Sequence, residues 1–415
     1  MVPRVVVAGA SMAGLRVAEQ LVRAGHTGPV TVFGAEPHPP YNRPPLSKTA
    51  LTYPHLDTAD DVLQTLALRR GESPQIEFRL GEGLVAADLA NRTVRTIEGH
   101  TEGFDGLVIA TGLRPRRLQV PGPERGRFAL RTVEDCLVLR AALPGARRAV
   151  VVGGGFIGCE VAATLHSLGV AVTVVEPGPA AMTRALGFEL GSAIQRHHES
   201  NGIGFRTEAL VTEILGTDRV SGVVLSTGAL LTADIVVEAI GSHPNTEWLQ
   251  GNSALDLTDG VLCDTDLRVQ GAQCAVAAGD VARFPHPLFG SRPRRFEHWT
   301  MVTETARRAA RTLHAELTGT PNDLAPAVGP PSFWTDQGLI HLQAVGAVAR
   351  SDEMSVVEGR LDRLADGALL VGRADGRVCC AITVNLPATR LAPWRSEITE
   401  QLQQMTTRRT VADNS

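Results

Sequence analysis

The stretch VVVGGGFIGCE, Val150 to Glu160, decides the fold. Three β-branched residues run into Gly153-x-Gly155-x-x-Gly158, and a helix-like segment follows. In a strand–turn–helix of this kind the first glycine makes the tight turn. The second lets backbone approach a pyrophosphate, and the third lets helix and strand pack closely. The unpaired N–H groups and dipole of the helix N-terminus then favour phosphate. A second strand pattern, VAVTVVE, ends at Glu176, at the roughly twenty-residue spacing where a carboxylate reaches ribose hydroxyls.

Working outward, RVVVAGASMAGLRVAEQL (Arg4 to Leu21) is a second copy, with serine in place of the middle glycine: Gly9-x-Ser11-x-x-Gly14. Serine is small enough for a pyrophosphate to approach, and its hydroxyl adds a donor. The following helix keeps an apolar face through Leu15, Ala18, Leu21 and Val22. PVTVFGAE then ends at Glu36, again at ribose distance. Two dinucleotide-binding folds in one chain imply two dinucleotides, or one dinucleotide and a relic. GLVIATG (Gly106 to Gly112) and DIVVEAIG (Asp234 to Gly241) occupy matching places, each ending in a glycine that a cofactor backbone can pass. Glu238, inside the second, is a carboxylate in an apolar strand; the sequence offers only an edge or paired position for it.

The remaining segments fit around this duplication. PHPPYNRPPLSK (Pro37 to Lys48) is too rich in proline for helix, which predicts a rigid, extended loop presenting Arg43 and Lys48. AVAAGDVARF (Ala275 to Phe284) reads as a small-residue strand leading to Gly279-Asp280 at a helix start. A helix from about Trp299 to Thr318 carries Arg307, Arg308 and Arg311, and a proline-rich boundary follows at Pro321 to Pro331. LIHLQAVG, ALLVGRA and VCCAITVN alternate as strands of a small antiparallel sheet with a helix or two. The expected division is 1–113 and 244–325 for the two parts of the first dinucleotide domain, 114–243 for the second, and 326–405 for a C-terminal domain. A disordered polar tail is expected at 406–415.

With 415 residues the chain has room for two or three cores. A net charge of -4 argues against bulk nucleic-acid binding. The N-terminus enters a strand pattern at once, so no secretory signal is expected, and no apolar run is long enough to span a bilayer. Six scattered cysteines without a C-x-x-C indicate neither a dithiol redox pair nor a zinc site, and the cytoplasm is the default compartment. His286 and His298 lack ligand-spaced partners, and Cys379-Cys380 reads as core.

From Val5 to about Ile398 the chain resembles the oxygenase-coupled NADH-dependent ferredoxin reductases. The resemblance is carried, in order, by PYNRPPLSK, IATG, VVVGGGFIGCE, AAGDVARF, FEHW (Phe296 to Trp299) and FWTDQ (Phe333 to Gln337). It implies an α/β, glutathione-reductase-like fold: two Rossmann-type dinucleotide-binding domains plus a C-terminal α+β domain. FAD is then expected on the first and third segments, and NAD(H) on the inserted second. No cysteine precedes Cys136, so the flavin-proximal cysteine of peroxide- and thiol-reducing relatives is absent.

Residue roles follow from the same resemblance. Gly9, Ser11, Ala13 and Gly14 are expected along the FAD pyrophosphate, Glu36 at its ribose and Arg43 at its phosphates. Val85, Thr111 and Arg131 match further FAD contacts, Asp280 the ribityl chain, and Trp299 and Trp334 the neighbourhood of the isoalloxazine. On the NAD side Gly153, Gly155, Ile157 and Gly158 match the phosphate loop. Glu176 and Arg184 match the adenosine half, and Ile240-Gly241 a backbone contact. Lys48, beside the flavin, and Glu160, facing the nicotinamide, are the expected catalytic pair, joined to each other when no nicotinamide is bound. Glu176 would repel a 2′-phosphate, which favours NADH; Arg184 lies near enough in sequence to qualify that preference. The expected partner is an acidic iron–sulfur ferredoxin, met by a patch of Arg292, Arg294, Arg295, Arg307, Arg308 and Arg311 on a monomer or weak homodimer. Two other readings are an NADH oxidase or quinone-type reductase, and an NADH-sensing interaction protein resembling apoptosis-inducing factor.

Overall fold

In the computed structural model, which describes residues 2–53, 56, 58–71, 73–321 and 328–413, the two copies become two parallel sheets of the same order. The first runs Ala275–Ala277, Gly106–Ile109, Val5–Ala8, Val30–Gly34, Ile76–Leu80. The second runs Arg127–Phe128, Ile235–Glu238, Arg148–Val152, Ala171–Val175, Gly204–Arg206. In each, a three-stranded antiparallel meander precedes the strand that returns beside the first: Leu84–Asp88 to Thr101–Gly103 in one copy, Val211–Leu215 to Leu230–Thr232 in the other. Strands buried on both faces explain the unbroken Val-rich runs.

The third glycine of each motif does the same work in both copies. A Cβ on Gly14 would stand 1.8 Å from the carbonyl oxygen of Gly9, and one on Gly158 would stand 1.9 Å from that of Gly153. Only glycine lets helices Met12–Arg23 and Phe156–Ser167 start this close to their strands.

The chain crosses between the sheets twice, and the crossings pair antiparallel, Leu113–Pro115 with Ser242–Pro244. Here Glu238 finds its partners. It is 3% exposed and accepts from Arg127 Nε at 2.6 Å, Arg117 Nε at 2.8 Å and the Leu118 N–H at 2.9 Å. The carboxylate thus ties the end of its strand to the first crossing.

The C-terminal sheet is antiparallel, in the order Ser332–Gln337, Ile340–Gly346, Arg377–Val384, Ala368–Ala374, Glu353–Gly359. Cys379 and Cys380 are buried in it, as expected of core residues.

Two local expectations are corrected. Pro44–Ser47 is a 3-10 turn rather than extended loop, because proline's fixed φ suits the first position of a helical turn. Gly279–Val281 is likewise a single 3-10 turn, not a helix start. The last helix spans Ala392–Asp413. Its Gln, Met and Arg residues are polar or long but good helix formers. Residues 414 and 415, and the expected domain boundary at 325/326, lie outside the described residues.

Candidate active site

The strands of the first sheet end their C-terminal sides on one cavity of about 1080 Å³, at the upper limit of the roughly 300–1,000 Å³ usual for small-molecule sites. Gly9, Ser11 and Ala13 enter it from the first strand–helix turn, and Glu36 from the next strand end. Ser11 is the N-cap of its helix but makes no side-chain cap, so the first N–H groups remain for a ligand. Gly14 lies behind, in the helix–strand contact described above. Val85, Thr111 and Arg131 also line the cavity. The Thr111 hydroxyl is committed to the Asn245 carbonyl at 2.7 Å, so its side chain pins the crossings.

Arg43 is held where a pyrophosphate would be met. Its guanidinium pairs with Glu36, donates to the Arg131 carbonyl at 2.8 Å, reaches Ser11 Oγ at 3.4 Å and lies over the Tyr41 ring. Asp280, presented by the 3-10 turn, faces Arg131 at 3.5 Å, and burial raises its pKa against the pull of that cation. Trp299 and Trp334 meet edge to face with centroids 5.7 Å apart at the opening, 39% and 37% exposed.

Lys48 and Glu160 meet across the cavity wall. Nζ lies 2.9 Å from Oε1, with the lysine side chain 18% and the glutamate 8% exposed. The expected pairing is therefore present. Ile157 and Phe156 join the lining from the same helix, Phe156 with its ring 5.2 Å from Phe333.

The other predicted residues gather around the glycine loop of the second sheet. Gly153 (φ +104) could not carry a Cβ, which would stand 2.4 Å from the Ala239 carbonyl oxygen. At Gly155, the helix N-cap, a Cβ would meet nothing within 4 Å. Protein packing does not demand glycine there, and the bare backbone leaves room for a ligand to approach closely. Glu176 folds over this loop, accepting from the Gly154 N–H at 2.7 Å and the Gly178 N–H at 2.8 Å. Arg184 is exposed nearby in sequence, and Gly241 (φ +97), after Ile240, accepts from the Arg116 N–H at 2.9 Å.

Both cradles fit a dinucleotide. Residues 3–310 match the pyridine nucleotide-disulphide oxidoreductase family. The chain belongs to that family. It is 36% identical over 351 residues to the ferredoxin–NAD(+) reductase component of the p-cumate 2,3-dioxygenase system of Pseudomonas putida, covering 84% of this chain and 82% of that one. It is 35% identical to the corresponding component of the anthranilate 1,2-dioxygenase system of Burkholderia cepacia, covering 92% and 90%. Among solved structures, the ferredoxin reductase for the CYP199A2 system from Rhodopseudomonas palustris superposes with a TM-score of 0.82 at 32% identity, covering 94% and 93%. The covalent putidaredoxin reductase–putidaredoxin complex matches with a TM-score of 0.85 at 29% identity, covering 96% and 93%.

The family uses FAD and NAD(H), and the first cradle would hold the former, the second the latter. No cysteine is among the described residues lining the cavity. Cys159, in the adjoining helix, is fully buried, and burial raises its thiol to about 12. Two polar residues escaped the sequence reading although they sit in quoted motifs. Ser47 and Thr335 each donate to Glu160, at 2.7 Å apiece. Nothing in the spacing of RPPLSK or FWTDQ marks those hydroxyls.

The structure also narrows the arginine patch. Arg295 is paired with Asp259 and Glu297, both at 2.8 Å, and its side chain is only 11% exposed. Arg308 is buried against Asp266 at 2.6 Å, and Arg307 pairs with Glu304 on its own helix. Arg294 lies against the Phe289 ring. Arg292 and Arg311 are exposed. No helix among the described residues is long and apolar enough to cross a membrane.

Proposed function

We propose that this protein is an NADH-dependent reductase of an iron–sulfur ferredoxin that serves a cytochrome P450 or Rieske-type oxygenase. FAD, when bound, would supply the redox chemistry: hydride is accepted from NADH, its two electrons leave singly to two iron–sulfur acceptors, and its proton is released to solvent. The observation that carries the reading is the Lys48–Glu160 pair, set where the first domain's cavity meets the second domain's helix. An ammonium fixed at that wall stabilises negative charge arriving in the cavity. Glu160 keeps that ammonium from standing alone and half-desolvated before the substrate enters.

The other site residues divide the binding. Arg43 and the free N–H groups after Ser11 meet the pyrophosphate, Glu36 the ribose and Asp280 the polyol chain. Trp299 and Trp334 shield the opening from bulk water. Glu176, accepting two backbone N–H groups at the loop, places a negative charge where a 2′-phosphate would lie, which supports NADH over NADPH. For the partner we retain a salt-sensitive basic docking face, now centred on Arg292 and Arg311 with Arg294 and Arg307 beside them in sequence. Six cysteines without a disulfide fit the reducing cytoplasm, and a monomer or weak homodimer suffices for the chemistry.

The test is anaerobic NADH-driven reduction of cytochrome c with and without an acidic [2Fe–2S] ferredoxin. Strong ferredoxin dependence that weakens at high salt is expected. Flavin reduction without ferredoxin stimulation would move the assignment to an oxidase or quinone-type reductase, and no flavin reduction at all would move it to an NADH sensor.

A further inference from the structure

Glu160 is a point at which side chains from all three segments of the fold meet. It stands on helix Phe156–Ser167 of the second domain. Ser47 of the first domain donates to its Oε2, and Thr335 of the C-terminal sheet donates to its Oε1, which also faces Lys48. The same helix binds the 44–47 turn again one turn later, where Thr164 donates to the Ser47 carbonyl at 2.8 Å. Strand Ser332–Gln337 lies along the helix, with Phe333 against Phe156 and Thr335 against Glu160.

Behind Thr335 the contacts continue into the protein. Gln337 Nε2 lies 3.2 Å from Thr335 Oγ1 and 3.2 Å from the Met182 sulfur, while Gln337 Oε1 lies 2.9 Å from His198 Nε2. Thr335, Gln337 and His198 are 0%, 1% and 3% exposed. Their chemistry gives the chain a direction. The amide nitrogen can only donate, so the Thr335 hydroxyl, receiving from it, is left to donate to the carboxylate. The amide oxygen can only accept, which puts the ring proton of His198 on Nε2. Burial lowers the pKa of that imidazole, consistent with a neutral ring. One donor at each step from His198 to Thr335 therefore points toward Glu160, while the second Gln337 N–H is directed at the Met182 sulfur. Such a chain is polarised along its length and holds its terminal acceptor more firmly than an isolated hydroxyl does.

We propose that Thr335, Gln337 and His198 are positioning residues for the hydride step. They fix the Glu160 carboxylate, and through it the Lys48 ammonium, at the geometry NADH requires. This rests on the reductase reading of the same site. Near-attack geometry is sensitive to small displacements, so loosening this array should slow the reaction within the NADH complex more than it weakens NADH binding.

The experiment uses the full-length protein with FAD bound, mixed anaerobically with increasing NADH while oxidised-flavin absorbance is followed. For Thr335→Val we expect the limiting rate at saturating NADH to fall about tenfold, with the half-saturating NADH concentration changed by less than about threefold. Thr335→Ser, which keeps the hydroxyl, should restore the rate to within about twofold of wild type. Gln337→Leu, one bond further from the carboxylate, should give a smaller loss of the same kind, and it carries the test if Thr335→Val does not fold. Unchanged limiting rates would overturn the proposal, as would a loss that serine fails to rescue. A wild-type protein that NADH does not reduce would overturn the reductase reading, and this inference with it.

Discussion

At the scale of single residues, the site depends on charges held partly out of water. Lys48 faces Glu160 at 2.9 Å and also donates to the Pro44 carbonyl at 3.1 Å, so its ammonium is fixed by the turn that presents it. Lys48→Met keeps the length of the side chain and removes the charge. NADH-driven flavin reduction should slow by about two orders of magnitude, the low end of the roughly 10²–10³ loss that removing one electrostatic donor causes; stopped-flow absorbance reads it directly, and an unchanged rate removes Lys48 from the mechanism. Glu176 sets a second expectation. Glu176→Ala removes the charge opposed to a 2′-phosphate, so the ratio of kcat/KM for NADPH over NADH should rise about tenfold in steady-state assays.

His286 adds a pH dependence that has nothing to do with catalysis. It is 1% exposed, and burial pushes its imidazole from 6.5 down to about 4. Between those values the unfolded chain binds a proton that the native one does not. Its contribution to stability is therefore complete above about pH 6.5 and is lost as pH falls toward 4, on the order of 3 kcal/mol over that window. Urea midpoints should drop from pH 7 to pH 4.5, and His286→Gln should flatten the drop.

At the scale of elements, the carboxylate inside strand Ile235–Glu238 is a cross-brace. Glu238 receives Arg127, Arg117 and the Leu118 N–H. Truncating one member of a buried pair strands the other charge, at about 3–5 kcal/mol, whereas replacing both with apolar residues of similar size is often near neutral. Glu238→Ala should lower the urea midpoint markedly, and Glu238→Val combined with Arg127→Met should recover most of it. A double variant as unstable as the single one would mean the pair does more than offset its own burial.

At the scale of the whole molecule, two sheets of the same strand order put two phosphate-binding turns in one chain, and the C-terminal sheet closes the opening with Trp334 and supplies Thr335 to Glu160. Electron exit needs an outer face, and there local pairing thins the arginines that the sequence groups together. Charge reversal of Arg292 and Arg311 should raise the KM for an acidic ferredoxin about tenfold at low salt, the difference vanishing at high salt. Arg295→Glu is a poor probe of docking, because it would break contacts to Asp259 and Glu297.

The duplicated glycine turns were legible in sequence because backbone geometry dictates them: a tight turn and a close helix–strand approach admit only glycine or another very small residue, and the acid at each second strand end was legible from its spacing to those turns. The Lys48–Glu160 pairing was legible only through resemblance to a family, since 112 residues separate the partners and no periodicity joins them. Three things waited for tertiary structure. Glu238 needed the crossings to show what neutralises it. The arginines needed their carboxylates, which come from segments remote in sequence, to show which charges remain outside. Ser47, Thr335, Gln337 and His198 needed three domains brought to one carboxylate, because a hydrogen bond's direction is set by what stands on its far side, and sequence does not record that.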